Sequence, residues 1–132
     1  RQLNSRKDGW KILMATLPGE THNLGLLMCA VVASLSGAKI IYLGLDTPIE
    51  DIIGTANKFE PKLLCLSISE SEKLLDPEDC LLTIRAKLKK TVKMISGGKG
   101  APDNLPSIQK MENFNSFNQW LKDFEEQLPT AV

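Results

Sequence analysis

The run Leu63-Leu64-Cys65-Leu66-Ser67-Ile68 most constrains what this chain can become. It is apolar without alternation. As a strand it must be covered on both faces, which is the situation of a strand inside a parallel sheet. Other short runs join it. Lys11-Ile12-Leu13-Met14-Ala15-Thr16 ends in the turn Leu17-Pro18-Gly19, and Lys39-Ile40-Ile41-Tyr42-Leu43 is bounded by Gly44. Thr91-Val92-Lys93-Met94-Ile95 comes just before Gly97-Gly98, and Met111 to Phe114 reads as a weak fifth strand.

Helical segments separate the strands. Asn23 to Ser36 is rich in Leu, Met, Ala and Val and stops at Gly37. It is apolar nearly all round, which reads as a core helix, with a partner-facing surface as the alternative. Thr47 is expected to N-cap the next helix, with Pro48 at its first position and Glu50 three residues after the cap. That helix runs to about Phe59, and Pro61 bars its continuation. Pro77 to Lys90 forms a third, with Glu78 and Asp79 early and Lys87, Lys89 and Lys90 late, an order that suits the helix dipole. Phe117 to Gln127 forms the last, with Trp120, Leu121 and Phe124 on one side. Repeated strand–helix units imply right-handed crossovers, a parallel five-stranded sheet and helices on both faces. The expected fold is α/β, doubly wound and flavodoxin-like. We expect residues 1–10 to be a linker remnant, 11–128 the domain and 129–132 a frayed tail.

The totals exclude several classes. The 132 residues suit one domain, and 42% are hydrophobic, so the composition is not that of a disordered chain. Lys plus Arg and Asp plus Glu both number 16. A domain that grips nucleic acid unaided carries a basic excess, so no direct nucleic-acid contact is expected. The three cysteines, Cys29, Cys65 and Cys80, form no C-x-x-C pair, which argues against a disulfide framework or a structural zinc site. No run approaches the roughly 18 apolar residues that cross a bilayer. A cytoplasmic setting is expected. The first residue is Arg1, not Met, which suggests a piece of something longer.

Ligands of such folds bind beyond the carboxyl ends of the strands. The loop after the first strand reads Pro18-Gly19-Glu20-Thr21-His22-Asn23-Leu24-Gly25 and holds the single histidine. A neutral imidazole is a good transition-metal ligand. Glu20 could accept the other ring N–H and fix the tautomer. Gly25 lets a helix begin close against a bulky ligand. A lone loop histidine is more often a plain surface residue. After the third strand come Ser67, Ile68, Ser69 and Glu70, whose hydroxyls could bind a polar group or cap the next segment. After the fourth come Ser96-Gly97-Gly98-Lys99-Gly100, where paired glycines permit close backbone approach.

The spacing joins these loops. Forty-one residues (26 to 66) lie between His22-Asn23-Leu24-Gly25 and Ser67, and 27 (70 to 96) between Ser69 and Gly97-Gly98. In this the chain resembles the cobalamin-binding domain family, whose pattern is Asp-x-His-x-x-Gly, Ser-x-Leu and Gly-Gly at those separations. The likeness spans about Lys11 to Ala101. It implies that cobalamin, as adenosylcobalamin or methylcobalamin, is bound with its dimethylbenzimidazole displaced. His22 would then be the lower axial cobalt ligand. Ser67 would bond the displaced base, Gly97 and Gly98 would leave room for the nucleotide tail, and the tail would run into the core beside the first strand. Glu20, Thr21, Asn23, Leu24, Gly25, Thr47 and Ser69 complete the implied cofactor contacts. Two departures stand out. Glu20 replaces the family's Asp, and Ser69 replaces Leu, which implies a more polar tail pocket.

Within the family, Leu17 to Met28 with Tyr42-Leu43-Gly44-Leu45-Asp46-Thr47-Pro48 looks most like the sensor domain of MerR-type light-responsive regulators. That likeness implies a helical cap and a DNA-binding domain as parts of a parent chain, and a change of homo-oligomeric state on illumination. One competing reading is a corrinoid module serving a methyltransferase or mutase. Another is a degenerate flavodoxin-like domain that binds nothing. Beyond His22 and Glu20 we find no acid–base pair or nucleophile, so this chain alone is not expected to catalyse.

Overall fold

The computed structural model describes residues 9–129. Residues 1–8 of the expected linker and 130–132 of the expected tail lie outside the described residues. The elements alternate: β1 Lys11–Thr16, α1 Leu24–Ala33, β2 Lys39–Gly44, α2 Ile49–Phe59, β3 Leu63–Ser67, α3 Pro77–Lys87, β4 Lys93–Gly97, β5 Ile108–Met111 and α4 Phe114–Gln127. One sheet runs in the order β2-β1-β3-β4-β5. Every pair is parallel. The expected flavodoxin-like fold is therefore present.

The sheet is covered on both faces because its strands supply apolar side chains to both. Leu13, Leu64, Leu66 and Met94 meet Ile52 and Ala56 of α2 and Leu81 and Ile84 of α3. Their neighbours Ile12, Met14, Leu63, Cys65 and Ile95 point the other way, toward Leu26 of α1 and Phe117 and Leu121 of α4. Each such aliphatic side chain fully removed from water contributes about 1.5–3 kcal/mol. Helices thus switch faces between α1 and α2, and β1 and β3 are neighbours in the sheet. The crevice of a doubly wound sheet lies at that switch, at the strands' carboxyl ends.

Five expectations need correction. Trp10 is not linker: it is 7% exposed, packs on Phe124, and its indole N–H donates to Glu125. Helix α1 ends at Ala33, three residues short of Ser36. The Ser34 and Ser36 hydroxyls take the Val31 and Ala33 carbonyls there and compete with further helix. Thr47 is not the cap of α2. Pro48 holds that position, its carbonyl accepts the Asp51 and Ile52 amides, and the Thr47 hydroxyl turns back to Gly44 O. Helix α3 stops at Lys87 because Arg85 binds the Lys89 and Val92 carbonyls, forming a turn that delays β4 to Lys93. Strand β5 lies at Ile108–Met111, since Asn113 caps α4 by accepting the Ser116 amide at 2.8 Å and Phe114 becomes helical.

Candidate functional site

The loop after β1 is tied to its neighbours before it reaches His22. Thr16 Oγ1 donates to Gly44 O and accepts the Asp46 amide, and Asp46 Oδ1 accepts the Gly19 amide at 2.7 Å. The β2–α2 turn that contains Thr47 therefore braces the β1 loop from the side. Glu20 then turns inward, and its side chain is fully buried. Its Oε1 accepts the Ser69 amide at 2.9 Å, and Oε2 accepts the Ser69 hydroxyl at 2.6 Å and the His22 amide at 3.2 Å. Lys73 Nζ stands 3.3 Å from Oε1, with only 3% of that side chain exposed.

The sequence suggests that Glu20 serves the His22 ring. Its carboxylate instead serves the backbone that carries the ring, and Oε2 comes only to 3.5 Å from Nδ1. Thr21 Oγ1 is nearer to that nitrogen, at 3.2 Å, and Ser69 Oγ lies at 3.5 Å. The His22 side chain is 65% exposed. Glu20, Thr21, His22 and Ser69 thus come together as one cluster. The Ser69 hydroxyl, expected to add polarity around a ligand, is spent on Glu20 and Ser71. Sequence reasoning misses Ser71 and Lys73, because a lysine just after two glutamates in Glu70-Ser71-Glu72-Lys73 reads as a solvated charge run.

Burial pushes the Glu20 carboxyl up, but hydrogen bonds from Ser69 (hydroxyl and amide), the His22 amide and Lys73 outweigh it and bring its pKa down to about 2. A carboxyl with a folded-state pKa below its ordinary 4.5 stabilises the fold above that ordinary value. The stability is lost as pH falls from about 4.5 through about 2. The expected loss is on the order of 3 kcal/mol. Chemical denaturation of wild type and Glu20→Gln between pH 5 and pH 2 checks this. The wild type should lose more stability over that range than the variant, and parallel curves would contradict the assignment.

Beneath the loop lies a cavity of about 180 Å³ between the sheet and helices α1 and α4. Gly25 and Cys29 of α1, Cys65 and Ser67 of β3, Gly97 of β4 and Phe117 of α4 line it. It therefore runs beside β3 and β4. A Cβ on Gly25 would sit 3.3 Å from Ser67 Oγ, so the missing side chain lets α1 start tight against β3. Burial pushes the Cys29 thiol up to about 11 and Cys65 well above its ordinary value, which keeps both thiols protonated at neutral pH. Gly97 and Gly98 both border the cavity, and Gly98 also serves the chain. It has φ +102°, and a Cβ there would collide with the Ile68 peptide. Asn23 occupies the N-cap position of α1 without a side-chain bond, and its carbonyl accepts the Leu27 amide.

Helix α1 is not the core helix expected. It buries Leu26 and Ala33, whereas Leu24, Leu27, Met28 and Val31 are exposed. Among the described residues no group of three or more His, Cys, Asp or Glu could hold a metal ion. His22 suits a metal as one added ligand to an ion carried by another group. The single ring at the open end of the sheet, the largely apolar cavity below and the glycine beside it fit a planar metal macrocycle with a bulky appendage. No helix among the described residues is long and apolar enough to cross a membrane.

Fold and site define a doubly wound α/β domain built to hold one large ligand at its switch point. The family model of the B12 binding domain matches residues 10–104, and the chain belongs to that family, whose ligand is cobalamin. The HTH-type transcriptional repressor CarH of Myxococcus xanthus is 30% identical over 89 residues, 67% of this chain and 30% of that protein. Trimethylamine corrinoid protein 1 of Methanosarcina mazei is 29% identical over 56 residues, 42% of this chain and 26% of that protein. The chain thus spans a third or less of these relatives. A crystal structure of a cobalamin-binding protein from Desulfitobacterium hafniense superposes with TM-score 0.72 at 22% identity, over 91% of this chain and 59% of that one.

Proposed function

We propose that this chain holds cobalamin with the dimethylbenzimidazole displaced, and that His22 takes the lower axial position on cobalt. The observation that carries this is the pairing of an exposed imidazole on a pinned loop with the cavity beneath it. His22 is too exposed to owe its place to packing, and Gly25, three residues on, already lines the cavity. Ser67 would donate to the displaced base, and Gly25 and Gly97 would admit it. The bound group would supply cobalt chemistry and its cobalt–carbon bond, while the protein supplies ligation and orientation.

We read the chain further as the sensor domain of a transcriptional regulator. Support comes from the match to CarH, which runs across two thirds of the chain, and from the Gly44-Leu45-Asp46-Thr47-Pro48 turn, whose Asp46 binds the β1 loop at Gly19. The parent chain would add a DNA-binding domain and a helical cap. A second reading, a corrinoid module that serves a methyltransferase, is favoured by the match to the trimethylamine corrinoid protein. The two part under light. The adenosylcobalamin complex, sized in the dark and after illumination, should change oligomeric state if the domain is a light sensor. A complex photolysed with no change in size would remove the regulator reading and leave the carrier.

A further inference from the structure

We propose that Lys73 is a positioning residue for the corrinoid site: its buried ammonium pins the loop after β3 onto Glu20 and so holds the segment that carries His22. The proposal rests on His22 being the cobalt ligand. Lysine is among the residues least often buried, and a buried one needs partners for its charge and its three donors. Lys73 lies between exposed Glu72 and Leu74, yet its side chain is 3% exposed. Nζ donates to Ser69 O at 2.8 Å and Ser71 O at 2.7 Å, contacts Ser71 Oγ at 3.3 Å, and faces Glu20 Oε1 at 3.3 Å. The ammonium thus folds residues 69–73 into a cradle around itself and seats that cradle on Glu20.

Glu20 passes the constraint on. The carboxylate facing Lys73 also accepts the Ser69 and His22 amides, so both loops hang from one buried ion pair. Such pairs add little net stability compared with apolar packing, but removing one partner strands the other charge and frees the geometry it held. Most of the His22 ring faces solvent, so its backbone tether does much of the work of fixing its position.

The test compares wild type with Lys73→Met and Lys73→Arg. In the free protein, hydrogen exchange of the His22 and Ser69 amides reports the tether directly. Lys73→Met should speed both by about tenfold or more while Leu13 in β1 stays protected, and Lys73→Arg should restore them. Unchanged rates, or a uniform rise that includes β1, would overturn the proposal. With hydroxocobalamin as probe, Lys73→Met should weaken binding by about 10–100-fold, the range seen when a metal ligand loses its support. In a His22→Ala background it should cost nothing further, since its effect runs through the ring. Equal losses in both backgrounds would mark Lys73 as merely structural. Wild-type binding indifferent to His22 would overturn the ligand assignment and this proposal with it. A His22-dependent protein indifferent to Lys73 overturns this proposal alone.

Discussion

Replacing His22 by Ala is expected to return the visible spectrum of bound hydroxocobalamin to that of the unliganded cofactor and to weaken binding by more than about 100-fold. Loss of an outer partner of a metal ligand already costs about 10–100-fold, so loss of the ligand itself should exceed that range. The fold should not notice. The ring is mostly exposed, and its three Nδ1 contacts lie at 3.2 to 3.5 Å, the long end of hydrogen-bond reach. Unfolding free energy should therefore stay within about 0.5 kcal/mol of wild type. Visible titration together with denaturant unfolding checks both halves. A variant that binds as well as wild type, with the same spectrum, would remove His22 from the site.

The second large effect is on the fold. Gly98→Ala should destabilise the protein by about 3 kcal/mol, since it adds a methyl where φ is +102° and the Ile68 peptide is already in contact. Melting should fall by roughly 10 °C. The segment is held by two backbone bonds, Ile68 N–H to Gly97 O at 2.9 Å and Gly100 N–H to Ile68 O at 3.0 Å, so it cannot simply move aside. Gly54→Ala is the control. That glycine lies in α2 with nothing within 4 Å of a built Cβ, and the exchange should stabilise by about 0.5–1 kcal/mol. Equal melting of wild type and Gly98→Ala would show that the loop has room, as the glycine pair alone suggests.

These two residues mark what the sequence makes legible. The strands are legible because burial on both faces demands unbroken apolar runs, and β1 falls where Lys11 to Thr16 predicts it. The landmark spacing is legible because each landmark closes a strand, so His22, Ser67 and Gly97 converge at one end of the sheet. Element ends are less so. They are decided by single side chains, Ser34, Ser36, Arg85 and Asn113, whose bonds depend on small differences in local geometry. Trp10 escapes sequence reasoning because its partners, Phe124 and Glu125, lie over a hundred residues away.

The site divides in the same way. That a carboxylate stands near His22 is legible. That it is shared among Ser69, Lys73 and the His22 amide is not, because a buried lysine and a solvated one look alike in sequence. The glycine pair reads as space for a ligand. Both glycines border the cavity, but Gly98 is also required by the chain's own contact with Ile68. Helix α1 reads as core on composition, and composition does not report which side of a helix the sheet leaves open.

The central claim is that one protein nitrogen meets cobalt. Electron paramagnetic resonance of the bound cofactor in its cobalt(II) state tests it most directly, because the axial nitrogen splits the cobalt lines. In protein made with ¹⁵N-histidine, the triplet splitting from ¹⁴N should become a doublet, since His22 is the only histidine in the chain. A splitting that stays a triplet would mean that the nitrogen on cobalt belongs to the cofactor's own base, and His22 would not be the ligand.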